Sequence, residues 1–316
     1  MIKAAIVGLG WWGKQIVGSL QGRSGKIRFV RGVDANLEAV RAFAAEKGFP
    51  VTGEYEDILA DPEVEAVLIV TPHDLHEEQI IRAAGAGKHV FCEKPLTLTM
   101  AAAERAVGAC EAAGVLLGVG HERRFEPAMI EIKRMIVSGE LGTILHVEAN
   151  FSHDSLKGLP ADNWRVSHPF VPPAMTGMGI HLTDSYLHLL GPVEKLYAQP
   201  AWRVTDWKAG DGIAVTFKFV SGVTGFLSSL LATPFFMRFQ VFGSEAWVEA
   251  RDTVRPEAEG KVHFTVRRRG QEPSTREVPS IDSVAANIEA FADAVAGKSV
   301  YPFTRAEKIG NVAVLE

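Results

Sequence analysis

Ile2-Lys3-Ala4-Ala5-Ile6-Val7 runs straight into Gly8-Leu9-Gly10-Trp11-Trp12-Gly13 at the start of the chain. The first six residues predict a short buried strand, and a helical pattern follows over about residues 13–21. Three glycines between a strand and a helix form the turn used to cradle a dinucleotide. Gly8 permits the tight turn, Gly10 lets backbone approach a pyrophosphate with no Cβ in the way, and Gly13 lets the helix close onto the strand. The helix N-terminus adds N–H donors and a positive partial charge. Trp11 and Trp12 lie within the turn and count with the glycines among the expected cofactor contacts. Without a ligand the same pattern reads as a glycine-rich turn.

Twenty-one residues after Gly13, at the end of a second apolar run, stands Asp34. A carboxylate there can accept both ribose hydroxyls of an adenosine and would repel a 2′-phosphate, which favours NAD over NADP. Ala35-Asn36-Leu37 follows, and Arg31 and Arg41 are the nearest cations, so NADP stays open. The alternative for Asp34 is a helix N-cap.

Outward from this unit, strands are predicted at Lys3–Val7, Ile27–Val33, Ala66–Val70, His89–Cys92 and Val115–Val119. Helices are expected near 13–21, 36–47, 54–59, 75–86 and 99–113, so the first third reads as a doubly wound α/β domain with a parallel sheet. Beyond Gly120 a helix is expected over Phe125–Ser138, then strands at Ile144–Phe151, Val193–Gln199, Ile213–Val220, Val223–Leu231 and Phe236–Phe242. Ser221-Gly222 and Gly243-Ser244 leave no room for crossover helices, which predicts a mostly antiparallel sheet in an α+β domain. The Pro-, Gly-, His- and Trp-containing stretch 152–180 reads as a substrate loop. Helical pattern returns at Ser283–Ala296, and the chain ends inside another helix from Thr304, with no stop signal, as though truncated. The boundaries expected are 1–120 for nucleotide binding, 121–300 for substrate binding and oligomerisation, and 301–316 for a C-terminal helix returning toward the first domain.

Composition is that of an ordinary globular protein of 316 residues, with 47% hydrophobic and 22% charged residues. A net charge of −5 disfavours nucleic acid and anionic membrane surfaces. Cys92 and Cys110 show no metal or disulfide spacing, and no apolar run is long enough for export or membrane insertion; a cytoplasmic location is expected. Arg267-Arg268-Arg269 reads as a solvated strand end.

Thr71-Pro72-His73-Asp74-Leu75-His76 closes the third strand, at the sheet edge where such folds place ligands; Thr71, Pro72 and His76 are expected cofactor contacts, or else a capped helix start. The two histidines have no third partner at metal spacing, so no metal is expected. Cys92-Glu93-Lys94-Pro95 ends the next strand. Hydride chemistry on an alcohol needs a proton acceptor and positive charge for the developing oxyanion, which Lys94 can supply, with Glu93 beside the cofactor. A surface salt bridge between Glu93 and Lys94 is the alternative.

With these motifs, Gly120-His121-Glu122-Arg123-Arg124-Phe125-Glu126-Pro127 and Gly177-Met178-Gly179-Ile180-His181-Leu182-Thr183-Asp184, the chain resembles the glucose-fructose oxidoreductase / inositol dehydrogenase / MocA family over nearly its whole length. The resemblance implies a Rossmann domain, then a large, mostly antiparallel open sheet through which copies form homodimers or homotetramers. It implies oxidation or reduction of sugars, cyclitols and related polyols. Lys94 matches the catalytic lysine, and His181 the acid/base position; an imidazole titrating near neutrality suits that role. The family commonly carries an aspartate four residues before this histidine, where this chain has Gly177. Asp184, sharing a helical face with His181, could orient the ring or the substrate, or serve in capping or packing. His188, one turn on, reads as structural. One of Arg123 and Arg124 is expected near cofactor or substrate; Arg123 is taken as the substrate contact. Trp164 and Arg165 resemble a segment reaching toward the nicotinamide, with Trp164 a candidate for a sugar face or for simple core packing and Arg165 a cofactor contact.

An NAD(P)-dependent dehydrogenase leads these readings. A non-catalytic dinucleotide-binding regulator, and sugar elimination or glycoside cleavage with recycled NAD, are the alternatives.

Overall fold

The computed structural model describes residues 1–167, 171–254 and 260–316. Part of the expected substrate loop, residues 168–170, lies outside the described residues. The chain forms two compact units: Met1–His121 with Val284–Val314, and Glu122–Ser283.

In the first unit, β1 (Ile2–Val7), α1 (Trp11–Leu20), β2 (Ile27–Val33), α2 (Leu37–Lys47), β3 (Val51–Thr52), α3 (Tyr55–Ala60), β4 (Ala66–Ile69), α4 (His76–Gly85), β5 (His89–Cys92), α5 (Met100–Ala112) and β6 (Leu117–Val119) follow in order. The six strands are parallel, in the order β3-β2-β1-β4-β5-β6. Every residue of β4 is buried, as a strand covered on both faces requires. The order reverses between β1 and β4, so the segments following β1, β4 and β5 share one sheet edge at the switch point where open α/β sheets bind ligands.

The second unit runs from a 3₁₀ turn at Glu122–Phe125 through α6 (Pro127–Val137), β7 (Ile144–Ser152), α7 (Ile180–Leu190), β8 (Val193–Ala201), β9 (Gly212–Phe219), β10 (Thr224–Leu230), β11 (Phe236–Gly243), β12 (Ala246–Asp252), β13 (Lys261–Arg268) and β14 (Ser274–Pro279). Its sheet has the order β14-β13-β12-β11-β7-β10-β9-β8. The turns at Ser221-Gly222 and Gly243-Ser244 join antiparallel pairs, as their sequences predict. β7 lies between β10 and β11 and pairs with β10 in parallel, because a long segment including α7 separates it from the meander. Three strands beyond Phe242, β12 to β14, extend the sheet further than the predicted set; β12 nonetheless alternates in burial along Ala246–Asp252. Arg268 and Arg269, at the end of β13, are largely exposed.

α7 is fixed to this sheet by Tyr186. Its ring meets Phe217 and Phe219 edge-on with centroids 5.6 and 5.9 Å away, and its hydroxyl donates to the Phe226 carbonyl at 2.6 Å. A five-residue π-helical turn, Met175–Gly179, leads into the helix. The π-helical turn thus occupies the end of what reads in sequence as the 152–180 loop, and α7 follows it directly.

The chain returns to the first unit at α8 (Ser283–Val295), earlier than the boundary at 301, followed by α9 (Arg305–Leu315). Phe291 packs edge-on against Phe91, Asn287 donates to the Val119 carbonyl at 2.9 Å, and a Thr304–Glu307 capping box starts α9.

Candidate active site

The glycines of the first turn serve different needs. Gly8 has φ +94°, and a Cβ there would sit 2.7 Å from the Val70 carbonyl oxygen; at Gly13 it would lie 2.0 Å from the Gly8 oxygen. Gly10, the N-cap of α1, would meet nothing within 4 Å. No side chain caps α1 and no acid occupies its first turn, so the helix start offers N–H donors beside open space. Those features fit a pyrophosphate. Trp11 is 62% exposed and stands 5.4 Å, centroid to centroid, from the half-buried Trp12.

Asp34 holds this turn from the end of β2. One carboxylate oxygen accepts from Leu9 N at 2.7 Å and the other from Asn36 N at 2.8 Å. Asn36, rather than Asp34, caps α2, accepting from Ala39 N. The Arg31 guanidinium reaches Asp61 at 2.8 Å.

Along the same sheet edge, Thr71 donates its hydroxyl to Gln79 at 2.6 Å. His76 is fully buried, its Nδ1 2.8 Å from the Pro95 carbonyl and its Nε2 3.0 Å from that of Thr71. Burial pushes its pKa down, against the carbonyls that favour a charged ring. The ring thus lies between the loops after β4 and β5, and as a neutral imidazole it donates its single N–H to one of the two carbonyls.

Glu93 is buried, so the pair with Lys94 is no surface salt bridge. Burial raises the Glu93 pKa, while the Lys94 ammonium and the Trp12 indole N–H draw it back. Gly120, after β6, makes room for this carboxylate: a Cβ there would lie 2.7 Å from Glu93 Oε1. Lys94 itself is half-buried, and its bond to Pro95 is cis.

In the second unit the Glu122–Phe125 turn sends three buried charged side chains to different partners. Arg123, 1% exposed, lies 3.0 Å from Glu126 Oε2 and 3.4 Å from Asp252 Oδ2, and donates to Met237 Sδ at 3.0 Å. Burial opposes its charge, but Glu126, Asp252 and Glu122 outweigh that and hold it more basic than usual. Glu126 is pushed up to about 8 by burial, against the pull of Arg123 and with a further push from Asp252 and Glu122. Arg124 grips Asp184 with two bonds of 2.8 and 2.7 Å and lies 3.0 Å from His188 Nδ1. Arg123 and Asp184, the expected substrate contacts, both lie in buried ion pairs, as a charge removed from water requires. His188, expected to be structural, lies 3.0 Å from Arg124 and 2.8 Å from the Lys133 ammonium.

His181 projects from the first turn of α7, buried, with its Nδ1 3.3 Å from Glu122 Oε1 and the Phe151 ring 6.3 Å away. Sequence reasoning missed Glu122, because a glutamate among arginines looks like solvated surface. The Arg165 guanidinium stacks 4.1 Å from the Trp164 ring centroid, and Trp164 is 40% exposed, so simple core packing does not describe it. Among the described residues no three His, Cys, Asp or Glu side chains gather in a way that could hold a metal ion, and no helix is long and apolar enough to cross a membrane.

Comparison with known proteins matches residues 2–121 to the oxidoreductase family with an NAD-binding Rossmann fold, and residues 129–249 to the GFO/IDH/MocA C-terminal domain. D-xylose 1-dehydrogenase (NADP(+)) 2 of Haloferax volcanii is 30% identical, over 80% of this chain and 77% of that protein. 1,5-Anhydro-D-fructose reductase of Ensifer adhaerens is 28% identical, over 83% of this chain and 78% of its own length. Aldose-aldose oxidoreductase from Caulobacter crescentus, solved with glycerol, shares the fold with a TM-score of 0.87 at 23% identity, covering 99% of this chain and 95% of that one.

Proposed function

This chain belongs to the GFO/IDH/MocA oxidoreductase family, and we propose that it moves a hydride between a nicotinamide and a hydroxyl or carbonyl carbon of a sugar, cyclitol or related polyol. The observation that carries this reading is Lys94, placed by the β5 end on the same sheet edge as the open, Asp34-held glycine turn. The sugar-named relatives support the substrate class.

Bound NAD would supply the carbon that accepts or returns the hydride. The α1 N–H groups and Gly10 receive the pyrophosphate, with Trp11, Trp12, Thr71, Pro72 and Glu93 as neighbouring contacts. The Asp34 carboxylate takes the ribose hydroxyls, and with Arg31 turned to Asp61 the preference is for NAD over NADP. Lys94 stabilises the alkoxide as it forms, and His181 carries the hydroxyl proton. The exposed Trp164 face suits a sugar ring, and the Arg165 guanidinium stacked on it is assigned as a cofactor contact.

We further assign an association of copies through the eight-stranded sheet, whose edge strand β8 exposes Leu196 and Tyr197, and a cytoplasmic location, which the two buried free thiols Cys92 and Cys110 suit.

A panel of aldoses, inositols and sugar acids, offered with NAD and with NADP while reduced nicotinamide is followed by absorbance, tests the reading. Turnover of at least one compound, faster at low cofactor concentration with NAD, is expected; a panel that yields no reduced cofactor contradicts it.

A further inference from the structure

We infer that Glu122 positions His181, supplying from the turn before α6 the carboxylate that residue 177 lacks. The inference rests on His181 as the proton carrier proposed above.

Glu122 places a carboxylate in ion-pair range of this ring. Its Oε1 lies 3.3 Å from Nδ1, with Glu122 and His181 only 6% and 5% exposed. Asp184, the acid that α7 itself carries one turn on, is held by two nitrogens of Arg124. Gly177 offers no side chain, and a Cβ there would reach only Leu156 Cδ1, at 3.9 Å, so the position is roomy and without charge. Among the described residues, the charged and titratable groups tied to the pair include Arg123 and Glu126, which feel the Glu122 charge, Asp252 beside Arg123, Arg124 and His188 linked to Asp184 of α7, and His153 on the other side of Phe151. Arg123 pairs with Glu126 and Asp252, and Arg124 with Asp184, so these charges largely balance one another.

The chemistry follows from a carboxylate beside one nitrogen of an imidazole. A negative charge at this range favours the neutral tautomer with hydrogen on Nδ1, which leaves the Nε2 lone pair as the base. When Nε2 takes the proton of a substrate hydroxyl, the Nδ1 hydrogen stays in place and the imidazolium is balanced by Glu122. In the reducing direction the same proton returns from Nε2 to the new alkoxide. Phe151 walls the ring with apolar surface, so the charge acts through little water.

The test is the titration of His181 followed by NMR on ring-labelled protein, its signal identified with His181→Gln. Glu122→Gln keeps the shape and removes the charge. The His181 pKa is expected to fall by about 1 unit or more, as loss of an opposite charge at this range dictates. The acidic limb of the kcat/KM profile, measured with the panel sugar that turns over fastest, is expected to move to lower pH by the same amount. Should the glutamine variant not fold, Glu122→Asp, which keeps the charge but withdraws it by one methylene, is expected to lower the titration by a smaller, measurable step. An unmoved titration overturns the inference whatever happens to the rate, since a merely structural Glu122 would slow the enzyme without moving the limb. A His181→Ala variant running at the parent rate would instead remove the proton-carrier reading, and the NMR result separates the two failures.

Discussion

Two turns in this chain handle charge in opposite ways. At Gly8–Gly13 the protein leaves its polar groups available: α1 starts without a side-chain cap, its first turn holds no acid, and Gly10 faces open space. At Glu122–Phe125 it spends them, with Arg123 and Arg124 buried on Glu126, Asp252 and Asp184. A glycine-rich helix start costs little to leave open, since water satisfies its N–H groups until an anion arrives. Buried guanidinium groups have no such option and must be paired in place. Arginines beside a family motif are therefore weaker pointers to a ligand than an uncapped helix start.

The comparison is broken most directly at its edges. Lys94→Ala is expected to lower kcat about 10³-fold with the panel sugars while nucleotide binding stays within a few-fold of the parent, as removal of an oxyanion-stabilising cation requires; equal loss of binding would assign Lys94 to the cofactor instead. Asp184→Asn, which leaves the Arg124 guanidinium without its charge partner, is expected to destabilise the fold by about 3–5 kcal/mol in denaturant melts. An unchanged midpoint would show that the pair is not part of the framework.

The glycines sharpen the contrast within one turn. Gly13→Ala forces a Cβ against the Gly8 oxygen and is expected to cost about 1–3 kcal/mol of stability. Gly10→Ala meets no protein atom, so its melting temperature should match the parent while affinity for NAD falls about tenfold or more in a fluorescence titration. If both variants lose stability equally, Gly10 is structural too.

The smallest effect concerns pH. The Glu126 carboxyl is held at about 8 when folded, above its usual 4.5. The folded state thus keeps a proton that the unfolded chain releases, so this contribution to stability is present below pH 4.5 and is lost as pH rises through 8. Glu126→Gln should therefore flatten the decline in melting temperature between pH 6 and pH 9; an identical slope in both proteins would exclude Glu126 as its source.

Much of this was legible in the sequence, for physical reasons that can be named. The run Ile2–Val7 followed by three glycines admits few structures, and buried parallel strands such as Ala66–Ile69 announce themselves by unbroken hydrophobicity. Asp34 and Lys94 follow from their places at strand ends. What stayed hidden depends on pairing across long separations: the insertion of β7 between β10 and β11, the partners chosen by Arg123 and Arg124, and the contact of Glu122 with His181. The surroundings of His76 were hidden for the same reason, since only the folded chain brings the Thr71 and Pro95 carbonyls to its ring. The strands β12 to β14 were missed because charged residues interrupt their apolar pattern, as in Ala246-Trp247-Val248-Glu249-Ala250-Arg251-Asp252.

The central claim is hydride transfer between a nicotinamide and a sugar-like alcohol. Its most direct test counts NADH against oxidised product for the best panel substrate, with NAD in excess. One NADH per molecule of product is the predicted result; product formed with no net NADH would contradict it and point to recycled cofactor and non-redox turnover.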